Sequence, residues 1–197
     1  SKEGWVRCLK GKTCELKDLK FKNEDSLFLS SDANSNDKII FFCSNGKSYS
    51  LDALDLPSGR GHGTPLKILL DIEEDHSAIN IFPFVKNEKY ILASSVGNGF
   101  IIDSEDMLSN RKSGKQVLNI KEGEKSVICK KVQGSDVVSI GKNKKMLITD
   151  YQFISVFLKT SSKDSHETGS YSEKAFKQTK CEYAPGLSLI HISEPTR

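Results

Sequence analysis

Long apolar runs are missing from this sequence, and with them any stretch of the ~20 residues a helix needs to cross a bilayer. The N-terminus also lacks the charged, apolar and small-residue succession of a secretory signal. Cysteine is scarce and unpatterned: Cys8, Cys14, Cys43, Cys129 and Cys181 are odd in number and form no Cys-x-x-Cys. A disulfide framework and a zinc knuckle are therefore excluded as organising devices, and a reducing cytoplasm is the expected compartment. The histidines His62, His76, His166 and His191 make no His-Glu-x-x-His pair, so metal chemistry is not indicated. Charge of one sign is lacking too. With 29 basic and 26 acidic residues the net charge is +3, which permits nucleic-acid binding without arguing for it. Hydrophobic residues at 37% and charged residues at 28% fit a folded, soluble chain. The sequence opens Ser1-Lys-Glu-Gly-Trp5 with no initiator Met, so it is expected to be part of something longer.

What is present is a succession of short apolar or alternating runs bounded by turn residues. Lys38–Cys43, Ser48–Leu51, Ile79–Phe82, Tyr90–Ala93, Phe100–Ile102, Ser126–Cys129, Val137–Ile140 and Met146–Ile148 each read as a strand. Asn45-Gly46 separates the first two, where a tight hairpin turn demands positive φ at its centre. Gly97-Asn98-Gly99 and Gly141-Lys142-Asn143 do the same for later pairs. No strong helical periodicity occurs before Ile148. The expected class is all-β.

The strands repeat. A shift of 51 residues lays Gly46 on Gly97, Tyr49 on Phe100, Leu51 on Ile102 and Leu56 on Met107. The same shift lays Arg60 on Arg111, Gly63 on Gly114 and Leu66 on Val117. Weaker copies open at Gly4-Trp5-Val6-Arg7 and at Gly141–Ile148. A period of this size predicts propeller-like blades of about four antiparallel strands, roughly three of them here. Each such blade buries its apolar surface only against its neighbours.

The string Gly46-Lys-Ser-Tyr-Ser-Leu-Asp-Ala-Leu-Asp-Leu-Pro-Ser-Gly-Arg-Gly-His-Gly-Thr-Pro-Leu66 carries a further signal in its Leu-Pro, Arg-Gly-His-Gly and Pro-Leu. It closely resembles the blade motif of the C-terminal repeat family found in topoisomerase IV A subunits and gyrase A. Gly4–Arg7, Gly97–Phe100 and Asn110–Lys115 match the same family in the same order, so the resemblance runs from about residue 3 to 148. The Gln-Arg-Arg-Gly-Gly-Lys-Gly box of gyrase A does not occur in this sequence, which favours the topoisomerase IV branch and leaves a gyrase A domain as the alternative. The resemblance implies a partial β-pinwheel, with blades exchanging strands and a basic rim on bent duplex DNA. It implies a cytoplasmic bacterial enzyme in which this stretch has no catalytic residue and no cofactor. ATP hydrolysis, Mg2+ and strand passage for decatenation and supercoil relaxation would reside elsewhere. The implied partners are duplex DNA, the ATPase subunit of a heterotetramer, and the rest of the A subunit itself; a membrane is not among them.

In each motif an Arg or Lys sits in a glycine-rich loop after a strand pair. Glycines let the backbone approach a phosphate, and a guanidinium presents a forked set of donors to its oxygens. Arg60, Arg111, Lys112 and Lys115 are the leading candidates for backbone contacts. Lys47, Lys142, Lys144 and Lys145 at hairpin tips rank second. Such contacts position a duplex without reading it, so binding should be salt-sensitive and weakly specific. The plainer alternative for Arg60, a solvated loop residue beside turn-forming glycines, stays open, as does a propeller-like protein-interaction module without nucleic acid. Trp5 and Tyr49 read as strand-core aromatics and Leu56-Pro57 as the end of a strand. Asp71-Ile-Glu-Glu-Asp-His76 reads as a solvated turn between blades, not a metal cluster. Ser58, His62 and Asp55 have nothing to orient them as a nucleophilic set.

Three segments are expected: 1–148 as the partial pinwheel, 149–186 as a frameshifted or disordered tail, and 187–197 as an artefact. Residues 159–183 lose strand alternation and become rich in Ser, Lys, Thr and Glu. Leu187–Arg197 resembles, residue by residue, a translated transposase adapter of the kind used to prepare sequencing libraries. Codon degeneracy also lets Ile154–Lys163 be read one base later as a Phe-Pro and Leu-Pro series like the family's own continuation.

Overall fold

The computed structural model describes residues 1–9, 19–58, 61–140 and 146–150. Both expected tail segments from residue 151 on, the hairpin tip 141–145 and the pair Gly59-Arg60 lie outside the described residues. In chain order the strands are β1 (Trp5–Val6), β2 (Lys38–Cys43), β3 (Lys47–Asp52), β4 (Thr64–Pro65), β5 (Ala78–Pro83) and β6 (Lys89–Ser94). They continue as β7 (Gly99–Asp103), β8 (Lys115–Gln116), β9 (Ser126–Lys131), β10 (Asp136–Ile140) and β11 (Met146–Asp150). The α-helix among the described residues is a single turn, α1 (Leu66–Leu69). Two compact units result: Ser1–Asn87 with Ser104–Ile120, and Glu88–Asp103 with the chain from Lys121 on.

The first unit is built on β2. Its Ile-Ile-Phe-Phe run suits a pleated strand, and Ile39 through Cys43 are all buried, as expected of a central strand covered on both faces. The sheet order is β5-β2-β3-β8, antiparallel throughout. Ile39, Phe41 and Cys43 alternate onto one face and pack with Tyr49, Ala53, Leu66, Leu70 and Ile72. Ile40 and Phe42 fall on the other face and are equally enclosed. A 3-10 turn at Ala53–Asp55 ends β3. The turn between β2 and β3 depends on Gly46: its φ is +73°, and an added Cβ would stand 2.1 Å from the Leu118 carbonyl oxygen.

β8 belongs to the next sequence repeat and returns to pair with β3, Lys47 facing Gln116 and Ser48 facing Lys115. β4 does the same for β1, with Trp5 facing Pro65 and Val6 facing Thr64. The 51-residue shift carries Thr64-Pro65 onto Lys115-Gln116, and the registers agree. The residue after each returning strand closes the same bond: Leu66 N–H to the Gly4 carbonyl at 2.9 Å, Val117 N–H to the Gly46 carbonyl at 3.1 Å. Each repeat thus supplies the outer strand of the repeat before it.

The second unit repeats the arrangement as β7-β6-β9. The irregularity between Ala93 and Ser94 falls where the first unit has one between Phe42 and Cys43. A 3-10 turn at Ser104–Met107 follows β7 as Ala53–Asp55 follows β3. β10 and β11 then form a hairpin in register from Asp136↔Asp150 to Ile140↔Met146, the opening of a further copy.

Candidate nucleic-acid interface

The motif loop of the first unit is assembled from the backbone up. After the 3-10 turn, the Ser48 hydroxyl donates to the Met107 carbonyl at 2.5 Å, and the Ser109 N–H donates to the Ser50 hydroxyl at 3.1 Å. These bonds fasten the chain to β3 before it leaves the sheet. Arg111 to Gly114 then form a turn, closed by the Gly114 N–H on the Arg111 carbonyl at 3.0 Å. Gly114 has φ +74°, and a Cβ there would lie 2.7 Å from the Tyr49 ring, so ring and turn are fitted to each other. The Lys112 carbonyl is occupied by the Asp71 N–H at 3.0 Å. Held at the Arg111 and Lys112 carbonyls, the turn presents Arg111, Lys112 and Ser113 as exposed side chains. Neither cation has an ion-pair partner among the described residues.

The remaining candidates separate. Lys115 is exposed at the start of β8, and its ammonium donates to the Asp106 carbonyl at 2.6 Å. Lys47 is engaged: its ammonium meets Glu73 Oε1 at 2.9 Å, with only 29% of the side chain exposed. That hydrogen bond holds the Lys47 pKa above, and the Glu73 pKa below, the ordinary values. Arg60, Lys142, Lys144 and Lys145 lie outside the described residues.

Arg7 was not singled out by its sequence context, yet it organises the neighbouring glycine loop. Its guanidinium donates to the Gly61 carbonyl at 2.8 Å and the Lys20 carbonyl at 3.0 Å, and lies 5.2 Å from the Phe21 ring centre. The signal was available in the repeat, because a shift of 42 residues carries Gly4–Arg7 onto Gly46–Tyr49. Arg7 stands beside Gly63 as Tyr49 stands beside Gly114. Tyr49 is fully buried in the core, whereas Trp5 is half-buried and stacks under the Lys22 ammonium, 5.5 Å from the ring centre. The Asp71–His76 segment is a turn, closed by the His76 N–H on the Glu73 carbonyl at 3.1 Å, but its Glu73 is not merely solvated.

No family model matches the chain. It is 40% identical to the A subunit of DNA topoisomerase 4 from Caulobacter vibrioides over 148 residues, 75% of this chain and 19% of that protein. Among solved structures it superposes on the E. coli ParC C-terminal domain with a TM-score of 0.72 at 27% identity, covering 77% of this chain and 63% of that one. The chain belongs to the C-terminal domain family of topoisomerase IV A subunits. Its antiparallel blades are the β-pinwheel fold of that family. A second topoisomerase IV C-terminal domain shares the fold at a TM-score of 0.64 and 18% identity, covering 77% of this chain and 50% of that one. The chain spans about a fifth of the length of the curated topoisomerase IV relatives it matches, 19% of the Caulobacter vibrioides protein. The exposed Arg111–Lys112 turn, the returning strand β8 and the engaged Lys47 are therefore features of one pinwheel blade.

Proposed function

We propose that this domain binds the backbone of duplex DNA and helps bend a segment for the topoisomerase to which it belongs. The observation that carries the reading is the Arg111–Gly114 turn, in which two cations without an ion-pair partner among the described residues project from a backbone fixed by Asp71 and Ser109. A fixed platform reduces the ordering cost of a phosphate contact, and a guanidinium is matched in shape to phosphate oxygens. Lys115, at the base of the same turn, adds a third positive charge; Arg60 is proposed to act in the preceding repeat as Arg111 does here. Lys142, Lys144 and Lys145 are proposed as outlying contacts. ATP hydrolysis, Mg2+ and strand passage are assigned to other parts of the enzyme and its ATPase subunit, in the bacterial cytoplasm. The family relationship supports this division of labour.

The test is the anisotropy of a labelled duplex titrated with the chain across a range of salt. Wild type should bind with a log–log salt dependence, and Arg111→Ala with Lys112→Ala should flatten that slope by about two units while weakening binding at least tenfold at low salt. Unchanged slope and affinity in the double variant would remove this turn from the interface. No binding by wild type would favour a protein-interaction module.

A further inference from the structure

The acidic turn Asp71–His76 lies against the Arg111–Lys112 turn through the bond from the Asp71 N–H to the Lys112 carbonyl at 3.0 Å, and the Tyr49 hydroxyl donates to the Asp71 carbonyl at 3.4 Å. The same six residues carry the carboxylates Asp71, Glu73, Glu74 and Asp75. One of those carboxylates already holds a candidate cation. Glu73 takes Lys47 on one oxygen and stands 3.5 Å from His76 Nε2 on the other, while His76 Nδ1 shares a hydrogen bond of 3.1 Å with the Ser44 hydroxyl.

The second unit shows what the fold itself requires. Its turn Lys121–Glu124 closes in the same way, with the Glu124 N–H on the Lys121 carbonyl at 3.0 Å. There Lys121 occupies the position of Glu73, Gly123 that of Asp75, and Asn98 that of Lys47. The closing hydrogen bond is shared, but the third turn residue differs, Gly123 having φ +81° where Asp75 stays out of the left-handed region, and both members of the ion pair are different. A turn with the same closing bond therefore forms in the second unit without the pair, and the Lys47–Glu73 contact of the first unit has a consequence of its own for Lys47. Glu73 is 57% exposed, so a substitution there removes a charge without opening a cavity.

We infer that Glu73 tunes the DNA affinity of this blade by competing with backbone phosphate for Lys47. This rests on the DNA-binding reading above. Lys47 is held back by an internal carboxylate, so Arg111 and Lys112 carry the contact and Lys47 adds to it only when Glu73 is removed. An anionic side chain beside a phosphate site also repels the incoming backbone, which works in the same direction.

The experiment is salt-dependent duplex binding by the full chain, with Glu73→Gln, Glu73→Lys, Glu74→Gln, Lys47→Ala and the Glu73→Gln/Lys47→Ala pair. Glu73→Gln should raise affinity about two- to fivefold at low salt. It should also steepen the log–log slope by about one unit, the signature of one more phosphate contact. Glu73→Lys, which copies Lys121, should do more. Glu74→Gln removes the same charge without freeing Lys47 and should leave the slope unchanged. Lys47→Ala should have little effect alone but should cancel the steepened slope in the Glu73→Gln background, a coupling that a general loss of charge does not produce. If Glu73→Gln behaves like Glu74→Gln while Arg111→Ala/Lys112→Ala abolishes binding, the competition is refuted and the DNA interface stands. If Lys47→Ala alone costs as much as losing an open contact, the competition is likewise refuted. If neither wild type nor Glu73→Gln binds, both readings fall.

Discussion

The two repeats of this chain share a strand framework and differ in the turns laid on it. β2, β3 and β5 of the first unit correspond to β6, β7 and β9 of the second down to the interruption of register, at Phe42/Cys43 in one and Ala93/Ser94 in the other. Lys38 pairs with Asp52 across one hairpin and Lys89 with Asp103 across the other. The Phe84 N–H closes on the Lys38 carbonyl at 2.7 Å, and the Val132 N–H closes on the Lys89 carbonyl at 2.8 Å. What differs is the filling and the surface: Cys43 is replaced by Ser94, Phe41 by Leu92, and the acidic turn by one that begins with a lysine. The strand registers and the cross-hairpin Lys–Asp pair are kept, while the turn before the third strand changes in both charge and dihedral angle, from Asp75 to Gly123 at φ +81°. The α1 turn also shows how much variation the path allows. It follows β4 in the first repeat and has no helical counterpart after β8 among the described residues, which is why Leu70 matches Leu118 at a shift of 48 rather than 51.

The largest expected effect concerns the strand return that makes one repeat complete another. Gly46→Ala forces a side chain into the positive-φ region and against the Leu118 carbonyl, and should cost about 3 kcal/mol or more in a urea titration. Gly123 also has positive φ, at +81°, but nothing lies within 4 Å of its added Cβ. Gly123→Ala should therefore cost about 1 kcal/mol. Equal losses at the two positions would mean that the β3–β8 return contributes nothing beyond local turn geometry.

An effect confined to alkaline pH should separate Cys43 from its counterpart Ser94. Burial pushes the Cys43 thiol from 9.0 up to about 12, so the folded chain keeps its proton where the unfolded chain loses it. Its contribution is complete below pH 9.0 and is lost as pH rises toward about 12. Relative to a Cys43→Ser variant, wild type should lose about 1.4 kcal/mol for each pH unit in that window. A difference between the two that does not change with pH would contradict it. Ser94 is fully buried, and its hydroxyl lacks a hydrogen-bond partner among the described residues. Ser94→Ala should accordingly be neutral to stabilising by about 1 kcal/mol, read from the same titrations.

Much of the architecture was legible in the residues. Every strand expected from apolar runs is present, because runs of three or more β-branched, aromatic or alternating residues between turn signals leave a readable pattern. The returning strands β4 and β8 were not legible, since two residues carry no period; the 51-residue repeat implied their equivalence but not their partner. Arg111 and Lys112 were legible through their glycine and their place in the repeat. The engagement of Lys47 was not, because its partner is 26 residues away and only the folded sheet brings Glu73 to it. The position of Arg7 was legible through the 42-residue shift, but its partner, a carbonyl 54 residues away, was not.

The most direct test of the interface is positional. A photo-crosslinking residue placed at Lys112 of the full chain should join to a duplex on irradiation, with the yield falling as salt rises. The same residue at Leu54, 73% exposed in the 3-10 turn Ala53–Asp55, should give little product. Strong, salt-sensitive crosslinking at position 112 alone is the predicted result; equal yields at both positions, or none at 112, would contradict the account.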